Sequence, residues 1–508
     1  MAVSEMTNEC VAEGNDTLMR IEGKIDSIFP KNINWNVVLL VYAVILLALN
    51  FSRLFYDNFW GDECYTIMLS RGSYENLMYM TEYHDNHPPL HYLYFKAMCD
   101  IFGQNYFVYN ATSYVPYLFM IILTVTFVRK NLGIQVAAVV ATLASIIWPS
   151  LYYITEARQY ELALVLLFMM FLVLYKILEN PRPRYFVILT IVYILVCYTH
   201  YYAMVAGGLM YFAYGVHCLV DKDRSSFRYT AISFVAAALA FLPWMQFFFV
   251  EADNLSQGFW LNGMPNPVDD ILWFFGDNPV YLIYFLFLFI TLLYIPYRAG
   301  FLKDKNGWFD KLYSFIDLGE VRWRWVITGT FTVYFLIIFM TVFSLFYHPL
   351  ISLRYIYPLS AIVWLMFAVF IPGCKAKKTM TVLVMAVILI PGAYDCYDTM
   401  RYDYEWNQEI METMELTRDQ MEDGDTIISD VYMFAGNECR YYYGIEPEYY
   451  GPYDVVNYFS EDHQNWIFLW APMGDDVKSL IESKGYTVEL IQERGRVGNS
   501  VMSIYKAT

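Results

Sequence analysis

A series of apolar runs, each about 20 residues long, recurs between residues 35 and 396 and limits this chain more than any other feature. An α-helix needs that length to cross a bilayer. Hydrocarbon offers the backbone no partners, so each run must satisfy its own N–H and C=O groups, and helices do so. We place spans at residues 35–53, 106–128, 133–152, 158–178, 184–199, 201–220, 228–250, 279–297, 324–346, 354–371 and 378–396, about eleven in all. Charged residues make up 16% of the 508, against roughly 25% in soluble domains. Residues 1–34 are polar and mixed in charge. They lack the basic start and short apolar core of a cleaved signal, so the first span reads as retained.

Lys and Arg set the orientation. They collect at Arg129-Lys130, Lys176 to Arg184, Lys222 to Arg228, Arg298 to Arg324 and Lys375 to Lys378, which fall on one side if eleven spans alternate. The opposite loops are nearly free of positive charge, and residues 251–278 contain none. This places the N-terminal segment in the cytoplasm and the C-terminal segment outside, in a multi-pass protein of the cell membrane. The outer boundary then holds the 62–105 loop, Glu156, Arg158, His200, the 251–278 loop, Tyr347-His348, Arg354 and the tail.

Charge beside hydrocarbon is costly, and where it gathers it commonly serves a site. Asp62-Glu63 follows the first span, and Asp85-Asn86-His87-Pro88-Pro89 follows about twenty residues later. Between them, residues 62–81 repeat apolar side chains at helical spacing, as an interfacial amphipathic helix would. Pro88-Pro89 stops one element, and residues 90–102 begin another that is too short to span. Asp62 and Asp85 thus flank an interfacial excursion and are placed to face each other across a pocket.

After Cys396 the pattern becomes that of a soluble domain. Strands are expected at 426–428, 466–469, 486–491 and 500–505, with a helix at 477–484. The resulting domains are a cytoplasmic segment 1–34, a transmembrane domain 35–397 with its outer loop 54–105, and an extracytoplasmic α/β domain 398–508. Most of the net charge of −17 lies in this last part, which argues against nucleic acid as a partner.

Each remaining candidate has a plain and a sharp reading. His200 is either an interfacial histidine in an aromatic belt or a metal or phosphate ligand paired with Asp85 or Glu156. Arg354, beside Tyr355, either snorkels at a span's end or clamps a phosphate. Glu156 and Arg158 form either a structural ion pair or part of the site. The eight cysteines show no C-x-x-C spacing. Cys64 and Cys99, and Cys396 and Cys439, are either free thiols or disulfides of an oxidising compartment. No Gly-rich phosphate loop, H-E-x-x-H or G-x-S-x-G is present, so soluble nucleotide binding and serine or zincin hydrolysis have no support.

These residues resemble the GT-C glycosyltransferases, in particular the branch with protein O-mannosyltransferases and lipid A aminoarabinose transferases. The likeness rests on Asp62-Glu63, Asp85-Asn86-His87-Pro88-Pro89-Leu90-His91-Tyr92, Tyr153-Ile154-Thr155-Glu156-Ala157-Arg158-Gln159-Tyr160, Thr199-His200-Tyr201 and Arg354-Tyr355-Ile356-Tyr357-Pro358, over about residues 35–372. It implies an inverting transfer from a polyprenyl-phosphate sugar to a hydroxyl of a lipid, glycan or protein acceptor on the outer face. By position, Asp62 corresponds to the general base and Asp85 to the acidic residue that holds the acceptor or a metal. Glu63, His87, Glu156, Arg158, His200, Arg354 and Tyr355 line the substrates, with Arg354 first and Arg158 second as partner of the leaving phosphate. A divalent metal ion, held by Asp85 and His200, is an open option within the family. The aminoarabinose branch has lysine before Pro-Pro; His87 stands there in this chain and points to a different sugar or acceptor. The alternative class is a transporter or flippase of lipid-linked sugars, which would more often show internal symmetry and mid-membrane polar residues.

Overall fold

The computed structural model describes residues 17–25, 27–28, 32–257, 289, 291–294, 296–297, 300–302, 307–346, 352–431, 434–449 and 455–508. Among these, eight helices are long and apolar enough to cross a membrane: Trp35–Phe55, Tyr106–Asn131, Tyr160–Glu179, Tyr201–Val220, Arg224–Asp253, Gly319–Phe346, Leu353–Gly373 and Lys377–Gln420. Two shorter apolar helices, Ile134–Ile146 and Pro183–Cys197, occupy the places of two further expected spans. The expected span 279–297 and the 258–278 part of its preceding loop fall largely outside the described residues, as does Tyr347-His348.

We label the helices used below α1 (Trp35–Phe51), α2 (Gly61–Arg71), α3 (Tyr74–Tyr83), α4 (Leu90–Phe102), α5 (Tyr106–Leu123), α6 (Ile134–Ile146), α7 (Tyr160–Glu179), α8 (Pro183–Cys197), α9 (Tyr201–Val220), α10 (Arg224–Phe241), α11 (Gly319–Phe346), α12 (Ser360–Gly373), α13 (Lys377–Leu416) and α14 (Asp475–Ser483). Burial sorts them. Leu353–Gly373 is 94% buried within the protein and forms the centre, whereas Trp35–Phe55 and Arg224–Asp253, at 33% and 22%, line the periphery. Lipid and apolar side chains are equally greasy, so close packing must hold such helices together. At the centre Trp325 of α11 stacks on Phe171 of α7, with ring centroids 4.3 Å apart, and its indole N–H donates to the Phe171 carbonyl at 2.8 Å. Gly329, one turn on, has Met366, Phe171 and Ile362 pressed against the place of a side chain.

The basic segments meet at one end of the bundle. Arg129 donates to Asn36 at 2.7 Å, Lys176 to Asn131 at 3.1 Å, and Arg324 pairs with Asp221. Asp317 N–H bonds the Gly373 carbonyl at 2.8 Å, and Glu22 accepts from the N–H groups of Lys378 and Thr379.

At the other end the chain between α1 and α5 forms three short helices. One amphipathic helix was expected over 62–81; the structure divides it. Gly72 ends α2, and the Ser73 hydroxyl accepts from Asn76 N–H at 3.1 Å to start α3. α13 runs unbroken through residue 397 to Leu416 and carries the chain into a five-stranded sheet of order β2-β1-β3-β5-β4. β1 (Thr426–Ser429) pairs in parallel with β2 (Glu448–Tyr449) and β3 (Asn465–Leu469). β5 (Ser500–Ala507) runs antiparallel to β3 and to β4 (Val488–Val497). β3 is buried at every position, and Ile481 of α14 packs on it through Ile467 and Leu469. The two-residue β2 is the strand that sequence patterning does not reveal.

The cysteines Cys64, Cys99, Cys396 and Cys439 are buried free thiols. Cys64 faces the Phe59 carbonyl, Cys99 the Ser70 hydroxyl, and Cys396 the Met400 sulfur, so of the two open readings the structure has the free thiols.

A side chain at residue 329 would meet Met366 Sδ at 2.5 Å and Phe171 Cζ at 2.7 Å. Gly329→Val should therefore destabilise the bundle by about 1–3 kcal/mol. It would be seen as a lower melting temperature of the detergent-purified protein; an unchanged value would show the crossing of α7, α11 and α12 to be loose.

Candidate active site

The site is built on the first turn of α2. Trp60 is extended, and its carbonyl accepts from Glu63 and Cys64 N–H at 2.9 Å each, so the helix opens at Gly61 with Asp62 and Glu63 in its first turn. Acidic side chains are favoured there, because the unpaired N–H groups carry partial positive charge. Glu63 turns inward. One oxygen accepts from Trp60 N–H at 3.2 Å and the other from Ala157 N–H at 2.7 Å, which ties α2 to the loop before α7. That loop is held from behind by Ser113 of α5, whose hydroxyl donates to the Glu156 carbonyl.

Glu156 and Arg158 do not pair with each other. Glu156 Oε1 accepts from the Trp60 indole N–H at 3.3 Å, and its other oxygen is buried without a partner. Arg158 Nη1 reaches Thr66 Oγ1 at 3.0 Å, Tyr92 Oη at 3.2 Å and the Asp62 carbonyl at 3.3 Å. Of the two readings, the structural ion pair does not form; two separate networks cross at α2 instead. Burial raises the Glu156 carboxyl to about 7, despite the Arg354 and Arg158 charges. Glu63 is raised well above its ordinary value by burial and then by the Glu156 charge.

Arg354, on the turn that opens Leu353–Gly373, donates from Nη1 to Asp62 Oδ2 at 2.9 Å. Its guanidinium lies over the Trp60 ring, 4.9 Å from the centroid. Trp60 is therefore a platform gripped on one side by two glutamates and covered on the other by an arginine.

Asp85 is the centre of the second half. His87 Nδ1–H donates to its Oδ1 at 2.9 Å, and Asn86 N–H to the same oxygen at 2.6 Å. Oδ2 is buried without a hydrogen-bond partner. Burial alone would raise this carboxyl, but the His87 hydrogen bond, the His87 charge and Arg158 together bring it down to about 2. Leu90 N–H bonds the Tyr198 carbonyl at 2.9 Å, which sets the Pro-Pro turn against the head of α9.

His200 caps α9, with Nδ1 accepting from Ala203 N–H at 3.4 Å, and lies among Tyr160, Tyr202 and Tyr355. Burial, then the His87 and Arg158 charges, push its imidazole down to about 3. Its surroundings are those of the plain reading, a histidine in an aromatic belt. Among the described residues no three His, Cys, Asp or Glu side chains cluster to hold a metal ion. A hard divalent cation takes six or more oxygen ligands, several of them from water in the case of magnesium. Asp85 Oδ2 beside a guanidinium does not fit that need, and no chemistry below is routed through a metal.

Trp60, Thr66 and Tyr92 complete the constellation, and sequence reasoning did not single them out as site residues. His91 also belongs here: it is buried, and neither ring nitrogen has a partner. The sequence signal for Trp60 and Thr66 is nearness to Asp62; His91 and Tyr92 stand in the segment after Pro-Pro that carries the resemblance.

The Glu156 carboxyl near 7 has a thermodynamic consequence. Unfolded it titrates near 4.5, so ionising it opposes folding; the penalty grows as pH rises from 4.5 to about 7 and is constant above. Glu156→Gln removes that penalty. Relative to wild type, the variant should gain stability progressively as pH rises from about 5 to about 7, with little further gain above. Melting temperatures across that range test it, and a pH-independent difference would refute it.

No family model matches the chain, and no curated protein does. Solved structures do. ArnT from Cupriavidus metallidurans in the apo state is similar at 13% identity and a TM-score of 0.54, over 93% of this chain and 97% of that one. ArnT from the same organism bound to undecaprenyl phosphate is similar at 12% identity and a TM-score of 0.54, over 93% and 98%. The chain thus has the GT-C fold of ArnT, a membrane-spanning helical bundle joined to a small sheet domain.

Proposed function

We propose that the protein is a membrane glycosyltransferase that moves a sugar from a polyprenyl-phosphate donor to an acceptor hydroxyl, with inversion, at the outer face of the cell membrane. The observation that carries this reading is the Asp62–Arg354 pair. Glu63, Asp85, Glu156, Arg158 and His200 are all buried, whereas the Asp62 and Arg354 side chains retain 35% and 23% of their exposure. A carboxylate and a guanidinium are therefore the charged groups that the site presents to open space. The reaction asks for these two groups: a base for the attacking hydroxyl and a cation for the departing phosphate. ArnT bound to undecaprenyl phosphate, on the same fold, supports a lipid phosphate as the donor's carrier.

In this reading Asp62 takes the proton of the acceptor hydroxyl as its oxygen bonds to C1 of the sugar. The C1–O bond to phosphate breaks, and its electron pair remains on the phosphate oxygen beside Arg354. The products are the glycosylated acceptor, a lipid, glycan or protein, and the polyprenyl phosphate. Arg158 is the weaker clamp, since its Nη1 is committed to Thr66, Tyr92 and the Asp62 carbonyl. It fixes the backbone of the base instead. Asp85 and His87 form the acceptor side, Tyr355 and His200 shape the aromatic wall, and Glu63 and Glu156 hold Trp60. The N-terminus is cytoplasmic, and the sheet domain, on the site's side of the bundle, is extracytoplasmic.

Purified protein with host membrane extract, offered a panel of radiolabelled polyprenyl-phosphate sugars, should transfer label from one of them. Asp62→Asn should reduce that transfer by about 10²-fold or more. Transfer that survives the substitution would remove Asp62 as the base. Lipid-linked sugar crossing a liposome bilayer, with no transfer, would favour the flippase.

A further inference from the structure

We infer that Asp62 and the donor phosphate compete for Arg354, so that the base stays masked until the donor is seated. The inference rests on the reading of the site just given. Asp62 Oδ2 and Arg354 Nη1 are 2.9 Å apart, and a carboxylate engaged by a guanidinium is a poor acceptor for an alcohol proton. A phosphate oxygen pair is a good bidentate ligand for the same guanidinium.

The surroundings fix what can move. The Asp62 backbone is held by Arg158 through its carbonyl, and Trp60 is held by Glu63 at its N–H and by Glu156 at its indole. The Trp60 face under Arg354 therefore stays in place, and attraction to a ring face tolerates rotation of the guanidinium above it. Arg354 can turn toward a phosphate without leaving the ring. Arg158 is less suited to the same exchange, because its Nη1 contacts fasten α2 and its side chain is buried. Binding is then ordered: donor phosphate takes Arg354, Asp62 is released, and the acceptor hydroxyl finds a free carboxylate.

Equilibrium binding of undecaprenyl phosphate, with undecaprenol as the probe that lacks the phosphate, tests the exchange without any knowledge of the sugar. Asp62→Asn should tighten undecaprenyl phosphate binding about two- to fivefold, toward the upper end for a partly exposed ion pair. It should leave undecaprenol binding unchanged. Arg354→Gln should weaken undecaprenyl phosphate binding about tenfold or more and abolish the gain from Asp62→Asn in the double variant. If the Gln variant does not fold, the two lipids compared on Asp62→Asn alone decide the matter. Unchanged or weaker phosphate binding by Asp62→Asn would overturn the exchange, as would a gain that persists without Arg354 or extends to undecaprenol. Wild type that binds both lipids equally, or neither, would overturn the polyprenyl-phosphate reading itself, and the exchange with it.

Discussion

Glu63 is the group on which the rest of the site depends. A buried carboxylate with an unsatisfied oxygen is costly, typically about 1–3 kcal/mol and more when charged. Glu63 meets that demand with two backbone N–H groups, from Trp60 and from Ala157, that lie 97 positions apart in the chain. The first bond starts α2 and so aims Asp62. The second draws in the loop that carries Glu156 and Arg158. With that loop in place, Glu156 can take the Trp60 indole, Arg158 can reach the Asp62 carbonyl, and Arg354 can close over Trp60. Each later contact presupposes the first two.

The sheet domain braces the same turn from the opposite side. Tyr441 donates to Asp57 at 2.7 Å, and Tyr442 to the Phe59 carbonyl at 3.0 Å. Glu438, which burial raises to about 7, accepts from Asn499 N–H at 2.8 Å and Ser500 Oγ at 2.7 Å, and the Gly61 N–H helps to stabilise its charge. Gly498 has φ +54 and lies so close that a side chain there would strike Glu438 and come within 2.8 Å of the Phe59 carbonyl. Trp406, from the extramembrane end of α13, donates to the Gly498 carbonyl at 2.7 Å. A reacting group must be held within about 0.5 Å of its productive place. The five residues before Gly61 are irregular backbone, and the domain provides that rigidity.

The spans were legible because hydrocarbon leaves so few options: residues 106–128 or 201–220 can only be helices, and the structure agrees with both. Four strands of the sheet were legible from short β-branched and aromatic runs such as Trp466 to Leu469. Gly72-Ser73 breaks the interfacial helix through a cap, a local signal that periodicity overrode. Partnerships were harder. Glu156 and Arg158 are two residues apart, and proximity in sequence favours pairing them; the fold sends one to Trp60 and the other to Thr66 and Tyr92. Asp85 and His200 were open candidates for one metal; the structure pairs Asp85 with His87, two residues on, and sets His200 among Tyr160, Tyr202 and Tyr355. Which residues charge the site can be read from composition and topology. Which of them touch is decided largely by segments far apart in the chain, 96 residues for Glu156 and Trp60 and 66 for Arg158 and Tyr92.

His87 also bears on where the positive charge of the site comes from. A lysine before Pro-Pro would place a flexible ammonium near the site, whereas the His87 ring is fixed by a 2.9 Å bond to Asp85 and cannot extend. Positive charge near Asp62 then comes from Arg354 and Arg158, both planar and both protonated at any physiological pH. One of them is fastened to α2 through Thr66 and the Asp62 carbonyl; the other lies over Trp60 at the mouth of the site. For a leaving group that is a phosphate, a single forked cation over an aromatic face gives direction as well as charge. Under the proposed reaction, phosphate recognition therefore falls to Arg354, and the Asp85–His87 pair is left to face the acceptor.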